Sequence, residues 1–155
     1  MGLRNMKKRK RIFQQIREKK ADITCLQETY ITKNDVDQWK KEWGGEMIFC
    51  EGSKHSRGQV ILLKKNFPFE YNIEKREDRI IQLNIKAEKE ISIFNVYAPC
   101  GQVETKTFLT NLRSLIDNCE KDIKIVCGDF NAVMSNDKDI ISGAKTCRLI
   151  GEGIQ

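Results

Sequence analysis

Hydrophobic and polar positions follow two rhythms along this chain. A helical rhythm opens it: between Lys7 and Lys20, Ile12, Phe13 and Ile16 form one apolar stripe and bases fill the other positions. The run Ile23-Thr24-Cys25-Leu26 then predicts a short strand that ends in Gln27, Glu28 and Thr29. Helical spacing returns from Asn34 to Trp43, where Val36, Trp39, Lys40 and Trp43 share a face. Asn34 is placed to cap this helix, Asp37 suits its first turn, and Gly44-Gly45 stops it. Two tryptophans on such a stripe read as core rather than as a base-stacking platform.

Strand rhythm dominates the middle. Met47 to Cys50 and Gln59 to Leu63 are short strands, the second approached through Ser56-Arg57-Gly58, and Phe67-Pro68-Phe69 punctuates the chain before Tyr71 and Ile73. Arg79 to Ala87 alternates, with Ile81, Leu83 and Ile85 on one face. A polar turn at Glu88-Lys89-Glu90 leads into Ile91 to Tyr97, which makes a long hairpin. Tyr97-Ala98-Pro99 closes that strand. Phe108, Leu112, Leu115, Ile116 and Cys119 mark a helix from about Glu104 to Cys119. Ile123, Ile125 and Cys127, with Val126 between them, predict a buried strand that breaks at Gly128, where the chain turns without a Cβ penalty. After Asn131 the pattern fades through Val133, Met134 and the polar loop Ser135 to Asp139. Strands alternating with helices, plus one hairpin, predict an α/β layered fold with a mixed sheet.

Composition narrows the class. At 155 residues, 39% hydrophobic and 32% charged, the chain has the length and polarity of one soluble domain, enough to bury roughly 70% of its unfolded surface. No apolar run approaches the ~20 residues of a membrane span, and the basic N-terminus lacks the apolar core of a signal peptide. The expected location is nucleus or cytoplasm, not secreted. Six cysteines without a CxxC pair fit reduced thiols better than a disulfide framework or zinc site, with Cys25 and Cys127 as small core residues. The net charge of +6 is unevenly held: residues 1–20 carry nine bases against Glu18, so the remainder sums to −2. The run Lys7, Lys8, Arg9, Lys10, Arg11 reads three ways, as a solvated helix face, a nuclear address or a phosphate contact.

Candidate chemistry lies at strand ends. Glu28 and Asp129 each stand at the C-terminal end of a strand, where sheet enzymes place their reactive groups. Two carboxylates so placed can converge on one divalent cation, which prefers hard oxygen ligands. Asp129, Phe130 and Asn131 set a carboxylate and a carboxamide on the same lip. His55, the sole histidine, sits in a polar loop and reads as surface.

Four ordered segments carry a resemblance: ADITCLQET (21–29), SRGQVILL (56–63), IFNVYAP (93–99) and IVCGDFNAV (125–133). Together they resemble the endonuclease/exonuclease/phosphatase superfamily, the four-layer α/β sandwich shared by abasic-site endonucleases (a DNase I-like fold) and by endonuclease domains of non-LTR, LINE-type retrotransposons. GLRNMKKRKRIF before the first segment and DIISGAK after the last resemble the retrotransposon branch. The resemblance implies a Mg²⁺-dependent (Mn²⁺ also suitable) phosphodiesterase acting on DNA, with a reverse transcriptase domain in the complete element. Glu28 would be the principal metal ligand and Tyr97 would hold the scissile phosphate. Asp129 would orient or deprotonate the attacking water, and Asn131 would steady the phosphate. Gln27 and Arg57 would support them, with Arg57 and Lys7 to Arg11 touching nucleic acid.

Two departures qualify the expectation. The family opens with a strand bearing a metal-binding asparagine just before the Gly-Leu matched by Gly2-Leu3, and closes with a Ser-Arg-x-Asp-type strand and an Asp-His pair. Neither lies between Met1 and Gln155. The expectation is a partial domain over residues 1–145 and a tail over 146–155. A sandwich so shortened would expose apolar sheet face and an unpaired edge that a partner covers. Loss of one acid–base group alone costs ~10²–10⁴ in rate, so this stretch by itself should be inactive or weakly active. Two other readings stand beside it: a non-catalytic nucleic-acid-binding remnant that uses the basic helix, and a phosphatase of the same superfamily.

Overall fold

The structure, a computed structural model, describes residues 2–53, 57–76 and 78–132. His55, the loop from Ser135 to Asp139 and the tail 146–155 lie outside the described residues. The chain divides into two compact units, one of Met1–Tyr97 with Lys121–Gly128, the other of Ala98–Glu120 with Asp129–Gln155.

The first unit begins with α1 (Met6–Glu18), capped by the Asn5 side chain, which accepts from the Lys8 backbone N–H at 3.0 Å. Next come β1 (Ile23–Leu26), a 3-10 turn (Lys33–Asp35) and α2 (Val36–Trp43). Asn34 does not cap α2. It lies inside the 3-10 turn, where Thr32 and Asp35 form a capping box and Asp35 takes the cap position. Gly44 ends the helix in the left-handed conformation, as its sequence position implies. Lys40 is exposed, so the buried face of α2 is Val36, Trp39 and Trp43.

β2 (Met47–Gly52), β3 (Arg57–Leu63) and β1 form an antiparallel sheet in the order β1-β3-β2. As the central strand, β3 is buried on both faces, which is why it reads as a continuous apolar run. Val60 and Leu62 face a cluster with Phe13, Ile16, Trp39 and Trp43 from the two helices. Phe13 meets both tryptophans edge-on, at 6.5 Å and 5.5 Å between ring centres. Such pairs add ~0.5–1.5 kcal/mol beyond area burial. The Trp43 indole N–H, which would otherwise be stranded in this core, donates to the Leu63 carbonyl at 2.7 Å.

Ile61 and Leu63 face the other way, into a second cluster with Ile48 and Cys50 and with Ile81, Leu83, Ile85 and Ile93 of a second sheet. That sheet runs β4-β5-β6-β7 and contains β4 (Glu70–Arg76), β5 (Ile80–Lys86), β6 (Glu90–Tyr97) and β7 (Ile123–Asp129). The first unit is therefore a helix layer on a sheet on a sheet. The expected β5–β6 hairpin forms, with Leu83 opposite Ile93.

Three expectations change here. β4 was not separable from the Phe67-Pro68-Phe69 punctuation, because its residues are almost all exposed and only Tyr71 and Ile73 carry an apolar signal. β5 is buried on both sides rather than one, so Gln82 and Asn84 are buried, with Gln82 Nε2 donating to Asn84 Oδ1 and Ser92 Oγ, and Ser92 donating to Asn84 Oδ1. β7 is not a buried strand: Ile123 is 38% and Ile125 45% exposed. It stands at the sheet edge with β6 as its one neighbour among the described strands, and only Cys127 reaches the inter-sheet cluster.

The second unit holds α3 (Gln102–Asp117), which buries Thr105, Phe108 and Leu112. Thr105 anchors its first turn, with its backbone N–H donating to Gly101 and its hydroxyl to the Pro99 carbonyl at 2.6 Å.

Candidate functional site

In the first unit the chain leaves β1 through Gln27, Glu28, Thr29 and Tyr30. This loop is pinned by its backbone: Thr29 donates to the Gly58 carbonyl and Tyr30 to the Arg57 carbonyl, at 3.0 and 2.9 Å, while Thr29 accepts from Leu3 at 2.8 Å. Glu28 (φ +51°), Tyr30 (φ +59°) and Arg57 (φ +59°) all adopt left-handed backbone that non-glycine residues rarely take. Such conformations cost about 1–3 kcal/mol each and persist where surrounding contacts over-determine them, commonly at functional sites.

The consequence is a directed carboxylate. Tyr97, at the end of β6 and largely buried, donates its phenolic O–H to Glu28 Oε1 at 3.0 Å. Tyr97 is itself held by Arg79, whose carbonyl accepts from the Tyr97 N–H at 2.9 Å and whose guanidinium donates to the Tyr97 carbonyl at 3.2 Å. Gln27 donates to Asn95 Oδ1 at 2.6 Å, and Asn95 is fully buried. Asn95 and Arg79 are site residues that the sequence reading passed over. The signal for Asn95 was a carboxamide on the otherwise apolar Ile93–Asn95–Tyr97 face of a strand. Arg79 carried no signal beyond opening the alternating run.

Beside Glu28 lies a hollow of about 280 Å³ lined by Lys8, Ile12, Leu26, Gln27 and Tyr30 among others. Lys7, Lys8, Lys10 and Arg11 are exposed on α1. Arg9 is not. It is 3% exposed, its guanidinium binds Glu42 at 2.7 and 2.9 Å and the Leu3 carbonyl at 3.0 Å, and it stacks 4.8 Å above Trp39. Arg9 therefore leaves the set of nucleic-acid contacts and joins the helix–helix packing. Its place one turn before Phe13, on the apolar stripe, was the signal for this. Pairing with Arg9 holds the Glu42 carboxyl below its ordinary range.

Asp129 and Asn131 belong to the second unit. Asp129 Oδ1 accepts from the Asn131 backbone N–H at 3.0 Å, an Asx turn, and the Asp129 carbonyl accepts from the Ala98 N–H at 2.8 Å. Asn131, in left-handed backbone (φ +46°), donates its carboxamide to the Ala98 carbonyl at 2.6 Å. The side chain of Asn131 and the main chain of Asp129 thus grip the residue directly after Tyr97. The glycine before them cannot be replaced in kind: Gly128 has φ +144°, and a Cβ there would strike the Val96 backbone.

The donor set bears on metal chemistry. Among the described residues no group of three or more His, Cys, Asp or Glu side chains surrounds a possible ion. Glu28 is a hard oxygen donor on a rigid loop, which fits Mg²⁺ or Mn²⁺, ions held through one or two carboxylates with water and phosphate completing the shell. Among the described residues no helix is long and apolar enough to cross a membrane.

The sequence profile of the Endonuclease/Exonuclease/phosphatase family matches residues 2–139. The chain belongs to that family. The Endonuclease/Exonuclease/phosphatase fold is also what solved structures share with it. An AP endonuclease from Archaeoglobus fulgidus superposes with a TM-score of 0.62 at 21% identity, over 87% of this chain and 57% of that one. A humanised D. rerio TDP2 superposes at 0.59 and 21% identity, over 82% and 56%. In sequence the chain is similar to the Transposon TX1 uncharacterized 149 kDa protein of Xenopus laevis, 27% identical over 134 residues. That alignment spans 84% of this chain and a tenth of the Xenopus protein.

Proposed function

We propose that this chain is the endonuclease-type portion of a LINE-like retrotransposon protein that in its complete form hydrolyses phosphodiester bonds in DNA. The observation that carries the reading is the Tyr97–Glu28 contact: a phenol and a carboxylate from different sheets, held together by strained backbone on one side and by Arg79 on the other. The contact runs from the buried Tyr97 ring to a carboxylate on the exposed Glu28. It suits a group that must meet phosphate in one orientation.

Glu28 would hold Mg²⁺ or Mn²⁺, which supplies charge neutralisation at the phosphate when bound. Tyr97 Oη, now donating to Glu28, turns its proton to a non-bridging phosphate oxygen and orients it. Asp129 keeps Oδ1 on the Asn131 N–H, so Oδ2 takes the proton of the attacking water. Asn131 steadies the turn after Tyr97 through Ala98. Lys7, Lys8, Lys10, Arg11 and Arg57 meet the DNA backbone by charge. The resemblance of the flanking segments to the retrotransposon branch supports, as part of the same proposal, a reverse transcriptase domain in the complete element and action in nucleus or cytoplasm.

Purified chain with Mg²⁺ and supercoiled plasmid tests this. Open circles should form, and chelator, Glu28→Gln or Asp129→Asn should each stop their formation. Nicking that survives both substitutions would remove these assignments. The exposed bases of α1 favour one second reading, binding without cleavage, whose signature is salt-sensitive retention of DNA with no nicking at any metal concentration. Release of phosphate from monoesters, with DNA untouched, would instead favour a phosphatase.

A further inference from the structure

The hairpin that supplies Tyr97 also supplies a cation. Arg79 stands just before β5, and its carbonyl accepts from the Tyr97 N–H at 2.9 Å. Its guanidinium donates through Nη1 to the Tyr97 carbonyl at 3.2 Å, and the guanidinium carbon lies 6.0 Å from the centre of the Tyr97 ring. Main chain and side chain together fix this cation beside the ring whose phenol meets Glu28. Arg79 is half-buried. Among the described residues Arg9 pairs with Glu42, Arg76 with Glu74 and Arg113 with Asp117. Arg79 pairs with no described carboxylate, its sequence neighbour Asp78 included. A guanidinium is a planar fork of N–H donors. Nη1 is spent on a neutral carbonyl here, and Nε and Nη2 have no described acceptor.

We propose that Arg79 is a phosphate-binding residue, gripping the phosphodiester backbone of DNA beside Tyr97. The inference takes its ligand from the nuclease reading above. Drawing a cation partly out of water without a counter-ion carries a desolvation cost. Arg9 avoids that cost by pairing with Glu42. For Arg79 the complement is a pair of phosphate oxygens, whose geometry the guanidinium fork matches with two parallel hydrogen bonds. The bonds to Tyr97 hold the fork before a strand arrives, so less side-chain freedom is lost on binding. Arg57 and the exposed bases of α1 meet DNA by charge alone; Arg79 differs in being held in place. Its contact is to backbone rather than base, so it positions the strand without reading sequence. Glu28 and Arg79 thus flank Tyr97 with opposite charges, the acid suited to a metal ion and the base to phosphate.

DNA retention across a salt series decides the matter. The full chain and its variants are titrated into a fluorescein-labelled duplex with chelator present, and anisotropy gives the dissociation constant. Arg79→Gln should weaken binding about tenfold on unrelated sequences and reduce the slope of log binding constant against log salt by about one. Arg79→Lys should recover the slope yet bind less tightly than wild type, because the charge returns without the fork. Arg76→Gln, whose parent arginine already pairs with Glu74, should leave both quantities unchanged. A wild-type slope in Arg79→Gln would overturn the proposal, as would equal falls at both arginines or a wild-type chain that retains no DNA at low salt. Should Arg79→Gln fail to fold, phenylglyoxal labelling of the wild-type chain answers instead. Duplex DNA should slow modification of Arg79 and not of Arg76, and an unprotected Arg79 would sink the idea. Plasmid nicking by the same samples separates the two claims. Nicking with an unchanged slope removes Arg79 and keeps the nuclease reading, whereas a lowered slope without nicking keeps Arg79 and removes cleavage by this chain.

Discussion

Tyr97 Oη donates to Glu28 Oε1 across 3.0 Å, although the two residues are separated by 69 positions and rise from different sheets. The bond needs left-handed backbone at Glu28 and the Arg79 grip on Tyr97. Tyr97→Phe keeps the ring and removes only the O–H. Plasmid nicking should fall by about 10²-fold, the usual cost of one positioned donor. The urea midpoint should change little. An equal loss of stability and activity would make the contact merely structural.

Arg9 and its neighbours on α1 should separate cleanly. Arg9→Met leaves the half-enclosed Glu42 carboxylate without its partner. The expected loss is about 3–5 kcal/mol in denaturant unfolding, as for other broken buried pairs. Replacing Lys7, Lys8, Lys10 and Arg11 together with Gln should leave stability within about 0.5 kcal/mol per site. It should also lower the slope of log binding constant against log salt by up to about four. DNA retention measured across a salt series reads this directly.

Acid should loosen the α1–α2 contact through Glu42. Its hydrogen bond from Arg9 holds the folded carboxyl below the ordinary value of 4.5. The folded state therefore binds the proton more weakly than the unfolded one. The stabilisation is fully present above pH 4.5 and is lost as pH falls through the lower folded value. Glu42→Gln should flatten that part of the acid unfolding curve, followed by Trp fluorescence at Trp39 and Trp43.

Gly128 should tolerate no side chain. Its φ of +144° is one that L residues rarely adopt, and an added Cβ would collide with the Val96 backbone of the adjacent strand. Gly128→Ala should cost more than the ~1 kcal/mol typical of a helical Gly/Ala exchange, because strain and clash add. Calorimetry gives the shift, and Ala at the unhindered Gly44, also at positive φ, is the control for strain alone.

Trp39, Trp43 and the β5–β6 hairpin were legible because each depends on spacing within a few residues: apolar positions on one helix face, or alternation around a tight turn. The exposed β4 was missed because a strand whose two faces meet solvent has no reason to alternate. Arg9 looked like one of five bases because charge along a chain does not reveal which side of a helix faces a neighbour. Ile123 and Ile125 looked buried for the converse reason: apolar character marks what a strand can bury against, not whether a neighbour stands there.

The order of residues by itself determined the helices, the hairpin, the family resemblance and the residue types capable of phosphate chemistry. Those follow from local periodicity and from short segments whose chemistry is carried in consecutive positions. Only the tertiary structure decided that Tyr97 reaches Glu28, that Asn95 receives Gln27, and that Arg9 is core. Each of those is a pairing across strands or helices distant in the chain. Such pairings are set by which faces close over the two apolar clusters, a property of the packed molecule that no short window of sequence contains.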